Sequence, residues 1–188
     1  NRTLRLGDTA TRAGMWGRNV YFAGVQYASN FALTPGFVSQ PIPALTGIST
    51  APSTVQMYVN GVLRQVSSVP TGPFAIDNFP LLTGSGDVRM VVRDILGRET
   101  VIEQSFFTST ELLTPGLNDW SVEAGTVRHY LGVASNNYGA GFASGTWRHG
   151  HSDVLTLEGH AELTTSLRTM GMGIVSALPK QVLGQASF

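Results

Sequence analysis

Hydrophobic and polar positions alternate with a period of two through most of the chain, the periodicity of strands rather than helices. The alternation comes in two lengths. Between residues 51 and 108 it is short and broken by sharp turns. Val55, Met57 and Val59 are followed by Asn60-Gly61 and then by Val62, Arg64 and Val66. The Asn-Gly pair supplies the positive-φ residues of a type I′ turn, so a hairpin is predicted. A second hairpin sets Val88, Met90 and Val92 against Arg89, Val91 and Arg93, turns at Leu96-Gly97 and returns through Val101, Ile102, Phe106 and Phe107. Between them lies Pro70-Thr71-Gly72-Pro73-Phe74. Proline fixes φ there and glycine permits a bend, so the chain is expected to cross from one layer to another. Phe74, Ile76 and Phe79 then add to the core of what reads as a small β-sandwich.

The flanks differ. Thr3-Leu4-Arg5-Leu6 alternates and is followed by Gly7-Asp8 and a polar stretch to Arg18, which predicts a strand and then a turn. Asn19 to Tyr27 is a β-rich run with apolar or aromatic groups on both faces and Gly24 in its middle. Residues 28–46 contain three prolines and one glycine and are expected to form no regular element. A connector of that length suits a crossing between two structures. A second connector, Thr108 to Gly116, leads out of the sandwich.

Longer alternating segments follow. Asn118 to Val127 places Trp120, Val122 and Ala124 opposite Asp119, Ser121 and Glu123; Tyr138 to Arg148 alternates small residues with Phe142, Thr146 and Arg148. From Asp153 to Thr165, Leu155, Leu157, Gly159, Ala161 and Leu163 oppose Thr156, Glu158, His160, Glu162 and Thr164. Arg168 to Leu178 adds Met170, Met172, Ile174 and Leu178 opposite Thr169, Gly171, Gly173, Val175 and Ala177. The connections are read as short at His149-Gly150-His151-Ser152 and longer from His129 to Asn137. Segments of about 10 residues suit tilted strands that cross a bilayer, and equally the half-buried sheet of a soluble domain. Trp16, Tyr21, Tyr27, Trp120, Tyr130, Tyr138 and Trp147 lie near segment ends, where an interfacial girdle and ordinary core packing both place aromatic rings.

Composition narrows the function classes. In 188 residues, 12 basic and 12 acidic side chains balance to zero, and 13% charged residues is about half the usual roughly 25%. No basic face for nucleic acid is indicated. With no cysteine, disulfides, thiolate metal sites and thiol nucleophiles are excluded. No run of about 18 apolar residues predicts a membrane helix, which leaves membrane strands open. The chain begins at Asn1 in what reads as the middle of a β pattern, so it is expected to be a piece of a longer protein.

Catalytic constellations do not stand out: neither a nucleophile-base pair nor a phosphate loop is evident, and Gly84-Ser85-Gly86 reads as a turn. His149 and His151, with Asp153 and His160, have donor types that suit several metals, but their spacing fits solvated turn residues better. No metal, cofactor or small-molecule substrate is therefore expected.

An ordered series of motifs resembles the outer-membrane ushers of the chaperone-usher pathway of pilus assembly. It runs from Leu6-Gly7-Asp8 through NVYFAGVQYAS at Asn19 to Ser29, Pro43 to Ile48, and the hairpin YVNGV. Its most specific part is Pro70 to Asn78, followed by Gly84 to Val88. Phe106 to Gly125, Trp147-Arg148 and Leu155 to Glu162 continue it, the last two in the style of the Csu-like ushers.

This resemblance implies an all-β protein in which a β-sandwich plug, residues 49–109, is inserted between strands of an antiparallel transmembrane β-barrel. Residues 1–48 and 110–188 would supply barrel strands before and after it, too few to close a wide pore. It further implies an integral protein of the Gram-negative outer membrane, in contact with its lipid. There it translocates and assembles pilus subunits delivered by a periplasmic chaperone, without catalysis. A plug that leaves the lumen as a rigid body is expected to be held by weak polar contacts, and Arg64, Arg89, Arg93, Asp94, Arg98, Glu99 and Glu103 are the candidates. The rival reading is a soluble β-sandwich binding or adhesion module; a hydrolase on a β scaffold lacks the required groups.

Overall fold

The computed structural model describes residues 1–12, 14, 19–42, 45–76, 84–129, 137–178 and 182–187. Trp16, Phe79, Asn78 and Tyr130, and the side chain of Leu178, lie outside the described residues. The described chain is built of strands in the order β1 (Arg2–Ala10), β2 (Tyr21–Ser29), β3 (Leu45–Ser49), β4 (Ser53–Val59), β5 (Val62–Val69), β6 (Gly72–Ile76), β7 (Gly84–Asp94), β8 (Glu99–Thr108), β9 (Asn118–Arg128), β10 (Tyr138–Ser152), β11 (Leu155–Thr164), β12 (Arg168–Leu178) and β13 (Val182–Ser187). It divides into two compact units, Ile42–Ser109, and Asn1–Pro41 with Thr110–Phe188.

The inserted unit is a sandwich of a four-stranded sheet, β5-β4-β7-β8, and a two-stranded sheet, β3-β6. Asn60 and Gly61 take φ of 49° and 78°, as the turn between β4 and β5 requires. The bend at Pro70 to Pro73 carries the chain from the larger sheet to the smaller one. Alternation puts Val55, Met57 and Val59 of β4 and Val88, Met90 and Val92 of β7 on one face, where they pack with Leu45, Phe74, Ile76 and Phe106 as one buried cluster. Phe74 lies over Gly47 of the paired strand, where a side chain would collide with its ring.

The other unit is a single antiparallel sheet in the order β1-β2-β9-β10-β11-β12-β13. Strands β2 and β9 pair across the whole insertion, Phe22 opposite Val127 through Ala28 opposite Ser121. At the middle of this seam Gly24 faces Gly125, and a Cβ on either would stand within 2.2 Å of a carbonyl oxygen of the opposite strand. Only glycine tolerates so close an approach.

Three expectations are corrected. Gly7-Asp8 does not turn the chain, because both residues pair with β2 inside β1. Residues 28–46 are not wholly irregular: β2 runs to Ser29, a 3-10 turn spans Phe31–Leu33, and β3 starts at Leu45 because its backbone pairs with β6. His149-Gly150-His151-Ser152 is not a hairpin connection but the end of β10; His149 and Gly150 pair with Leu157 and Thr156, and the turn falls at residues 153–154.

Candidate functional site

The large sheet reverses the usual sense of amphipathicity. Its polar face is the covered one: Gln26, Ser121, Glu123, Ser144, Thr146, Thr156 and Glu158 are all buried. Its other face exposes Leu4, Leu6, Val25, Val122, Leu163, Met170, Met172 and Ile174. Met170 is 82% and Leu6 74% exposed, far beyond scattered surface hydrophobes of a water-soluble domain.

Aromatic residues bound this apolar face at both ends. At one end Tyr27 meets Trp120 edge to face at 5.1 Å, and Trp147, opposite Trp120 on the next strand, stacks on His149 at 5.6 Å. Arg2 lies over the Trp120 ring at 5.9 Å and donates to the Tyr27 hydroxyl. At the other end Arg128 lies over Tyr138 at 5.7 Å and pairs with Asp8, and Tyr21 is exposed nearby on β2. From Trp120 to Arg128 along β9 is roughly 26 Å of strand, or about 20 Å of height at a tilt of about 40°, which fits within a barrel's apolar band of about 25 Å.

The polar face is closed by the segment after β1 and by the connector before β9. Arg12 donates its backbone N–H to Glu123 at 3.1 Å and its guanidinium to Asp119 at 3.0 Å and to the Ser29 carbonyl at 2.8 Å. Glu123 also accepts from Gln26 at 2.9 Å and from the Ser144 hydroxyl at 2.7 Å, so its buried carboxylate is fully engaged, as burial of a charge demands. The half-buried Arg148 pairs with the buried Glu158 at 3.2 Å. Leu113 donates to the buried Thr156 hydroxyl at 2.8 Å, and Thr114 donates both its N–H and its hydroxyl to the carbonyl of Ser39. The outgoing and returning connectors are thereby tied to each other within this unit. Sequence reasoning missed Arg12, Asp119 and Glu123 as a group, since nothing local links residues 111 positions apart.

On the inserted unit the charged candidates lie on the exposed face of the larger sheet or at its turns. Arg89 stacks on Tyr58 at 4.8 Å and stands opposite Glu103; Arg93 faces Glu99 at 3.8 Å. Arg64 is the extra residue of a bulge between β4 and β5. Asp94 and Arg98 serve the β7–β8 turn: the Asp94 carboxylate accepts the backbone N–H of Leu96 at 2.8 Å and of Arg98 at 2.9 Å, and the Arg98 side chain at 2.7 Å. The Arg98 backbone N–H, with its side chain and the Leu96 N–H, holds the Asp94 pKa below its ordinary value against a smaller opposing effect of burial. The histidines are not brought together. His149 stacks with Trp147 on the apolar face, whereas His160 bonds Thr146 on the covered face.

A wall of strands with a dry outer face and a polar inner face defines a β-barrel segment, and the comparisons agree with it. Residues 1–187 match the family described as "Outer membrane usher protein", and the chain belongs to this family. Among curated relatives it is 28% identical to the outer membrane usher protein FasD of Escherichia coli, over 94% of this chain and 21% of the relative. It is 34% identical to the usher FaeD of the same species, over 93% of this chain and 20% of the relative. The chain thus spans about a fifth of these proteins. A solved E. coli P pilus tip assembly intermediate, PapC-PapD-PapK-PapG, shares the fold, with a TM-score of 0.50 and 21% identity over 98% of this chain and 24% of that one. These relatives do not single out a Csu-like subgroup.

Proposed function

We propose that this chain is the gated wall segment of an outer-membrane usher. β1, β2 and β9–β13 stand in the bilayer as part of a larger barrel, and residues 49–109 act as the plug of its pore. The whole protein translocates and assembles pilus subunits handed over by a periplasmic chaperone, a role that needs positioning and passage but no catalysis. The carrying observation is the inverted sheet, whose exposed face is apolar and whose buried face holds Glu123 and Glu158. Lipid on one side and a polar lumen on the other satisfy both faces, whereas water on both sides would leave the apolar face exposed.

The gate is read as held by the polar face of the plug, with Arg64, Arg89, Arg93, Glu99 and Glu103 as contacts, while Asp94 and Arg98 keep the β7–β8 turn in shape. Exposed charged contacts are individually weak, so they allow release without unfolding the sandwich core. Single-channel conductance of the full-length usher in planar bilayers tests this. Arg89→Glu with Arg93→Glu should raise the frequency of open events. Gating identical to the parent protein would remove these arginines from the gate.

A further inference from the structure

The β1–β2 hairpin does not run straight. Ala10 pairs with Tyr21, and on a straight strand Gln26 would lie about 17 Å further along. Yet the Gln26 amide donates to the Ala10 carbonyl at 3.0 Å. Arg12 continues in the same sense. Its N–H reaches Glu123, which pairs with Gln26, and its carbonyl accepts the hydroxyl of Thr146, which pairs with Ser121, at 3.1 Å. The end of the hairpin, with residues 8–10 paired to residues 21–23 and Thr11 bonded to Val20, is therefore folded back over the polar face of β2, β9 and β10.

The bend has a crease, a pivot and a clasp. Gly7, Gly24 and Gly125 stand in one row across β1, β2 and β9. Gly7 has a φ of 112°, which glycine adopts without strain, and neither Gly24 nor Gly125 leaves room for a Cβ. Inside the angle the buried Phe22 packs edge to face at 5.0 Å on Phe142, the partner of Gly125. The Arg12 guanidinium then fastens the returning end to both strands that flank the insertion: it donates to the Ser29 carbonyl at the end of β2 and to Asp119 at the start of β9. A planar fork of donors holds two such acceptors at once. Gln26, Glu123 and Thr146 are buried, and each gives the folded-back end a hydrogen bond.

We infer that Arg12 is a positioning residue of the pore: it pins the folded end of the β1–β2 hairpin across the lumen face and so sets how far that hairpin narrows the lumen. The inference rests on the reading of the polar face as the lumen. Glycines at the crease accept a straight backbone as readily as a bent one, so the hairpin can extend without a change of strand register. The crease and pivot are buried, whereas the Arg12 side chain is partly exposed, which makes the clasp the part that holds one arrangement against the other.

Hydrogen exchange of the full-length usher, read by mass spectrometry over residues 8–12, tests it. Arg12→Ala removes the bonds to Asp119 and to Ser29 and should speed exchange there by about tenfold, the effect of losing one charge-assisted hydrogen bond, with β10 and β11 unchanged. Arg12→Lys keeps the charge without the fork and should recover part of the protection. In an usher lacking residues 42–109, Arg12→Ala should also raise the unitary conductance in planar bilayers. Unchanged exchange in an Arg12→Ala protein that remains heat-modifiable overturns the inference. Faster exchange spread evenly over the wall overturns it too, because it marks a residue that only stabilises the barrel, and so does faster local exchange with unaltered conductance. If Arg12→Ala fails to fold, Asp119→Asn weakens the same clasp and decides by the same exchange. A deletion protein that conducts nothing counts against the plug reading, and exchange in the intact usher then decides the clasp alone. Absence of the parent protein from the outer-membrane fraction would instead overturn the membrane reading itself.

Discussion

Glu123 shows how a residue with the pattern of a solvent-facing strand position becomes a buried structural centre. In the sequence it is one of the polar positions alternating with Trp120, Val122 and Ala124; in the fold it is 1% exposed and receives hydrogen bonds from Arg12, Gln26 and Ser144. Removing the carboxylate leaves these buried donors without an acceptor, at a cost of roughly 1–3 kcal/mol. Glu123→Ala should therefore lower the denaturant midpoint of the full-length barrel, and Glu123→Gln, which keeps one acceptor oxygen, should lower it less. Asp94 has a different role. Its pKa is held down by the Arg98 backbone N–H first and by the Arg98 side chain and Leu96 N–H as well. A lowered carboxylate pKa contributes stability that is present above the unfolded value, about 4, and is lost as pH falls through the folded value. Asp94→Ala should lower the Tm of the Ile42–Ser109 unit at pH 7, and the difference from the parent should shrink as pH falls below about 4.

At the scale of the element, strand parity decides which substitutions are tolerated. Ala124 is exposed on the apolar face near the middle of β9, flanked by Val25 and Ala143. Ala124→Arg should destabilise the barrel in lipid vesicles by about 2–4 kcal/mol, the depth-dependent cost of a cation on the lipid face. Urea unfolding in vesicles measures it, and the same substitution in detergent should cost less. Parity was also the most legible feature of the sequence. The alternation of Leu155 to Thr164 and of Arg168 to Leu178 marked β11 and β12, and Asn60-Gly61 marked the hairpin turn. What escaped depended on partners far away in the chain. His149-Gly150-His151 has the composition of a turn, yet it stays extended because β11 pairs on one side and the connector packs on the other, with Gly116 and Leu117 bonded to Gly150. The prolines before Leu45 place it and Thr46 in a connector by sequence, whereas backbone pairing with β6 makes Leu45–Ser49 a strand. Phe22, buried on the otherwise polar face, breaks the binary pattern for the same reason: it packs edge to face on Phe142, a partner remote in the chain.

At the scale of the whole molecule, the two units have separate cores. The sandwich has its own buried cluster from Leu45 to Phe106, and the wall is continuous without it, because β2 and β9 pair directly and Thr114 bonds the carbonyl of Ser39. Joining Pro41 to Thr110 would therefore leave a short loop at a point the two connectors already approach, and no strand pairing of the wall would be lost. If the sandwich is a gate, a full-length usher lacking residues 42–109 should still reach the outer membrane and remain heat-modifiable, because its stability lies in the wall. Its pore should stand open, admitting large antibiotics to the cell and showing a sustained conductance in planar bilayers. A sandwich that only binds a partner would, on removal, abolish that binding and leave permeability at the parent level. Permeability and barrel integrity measured on the same deletion therefore separate the two roles: an intact, leaky barrel requires a gate, and an intact, sealed barrel rules it out.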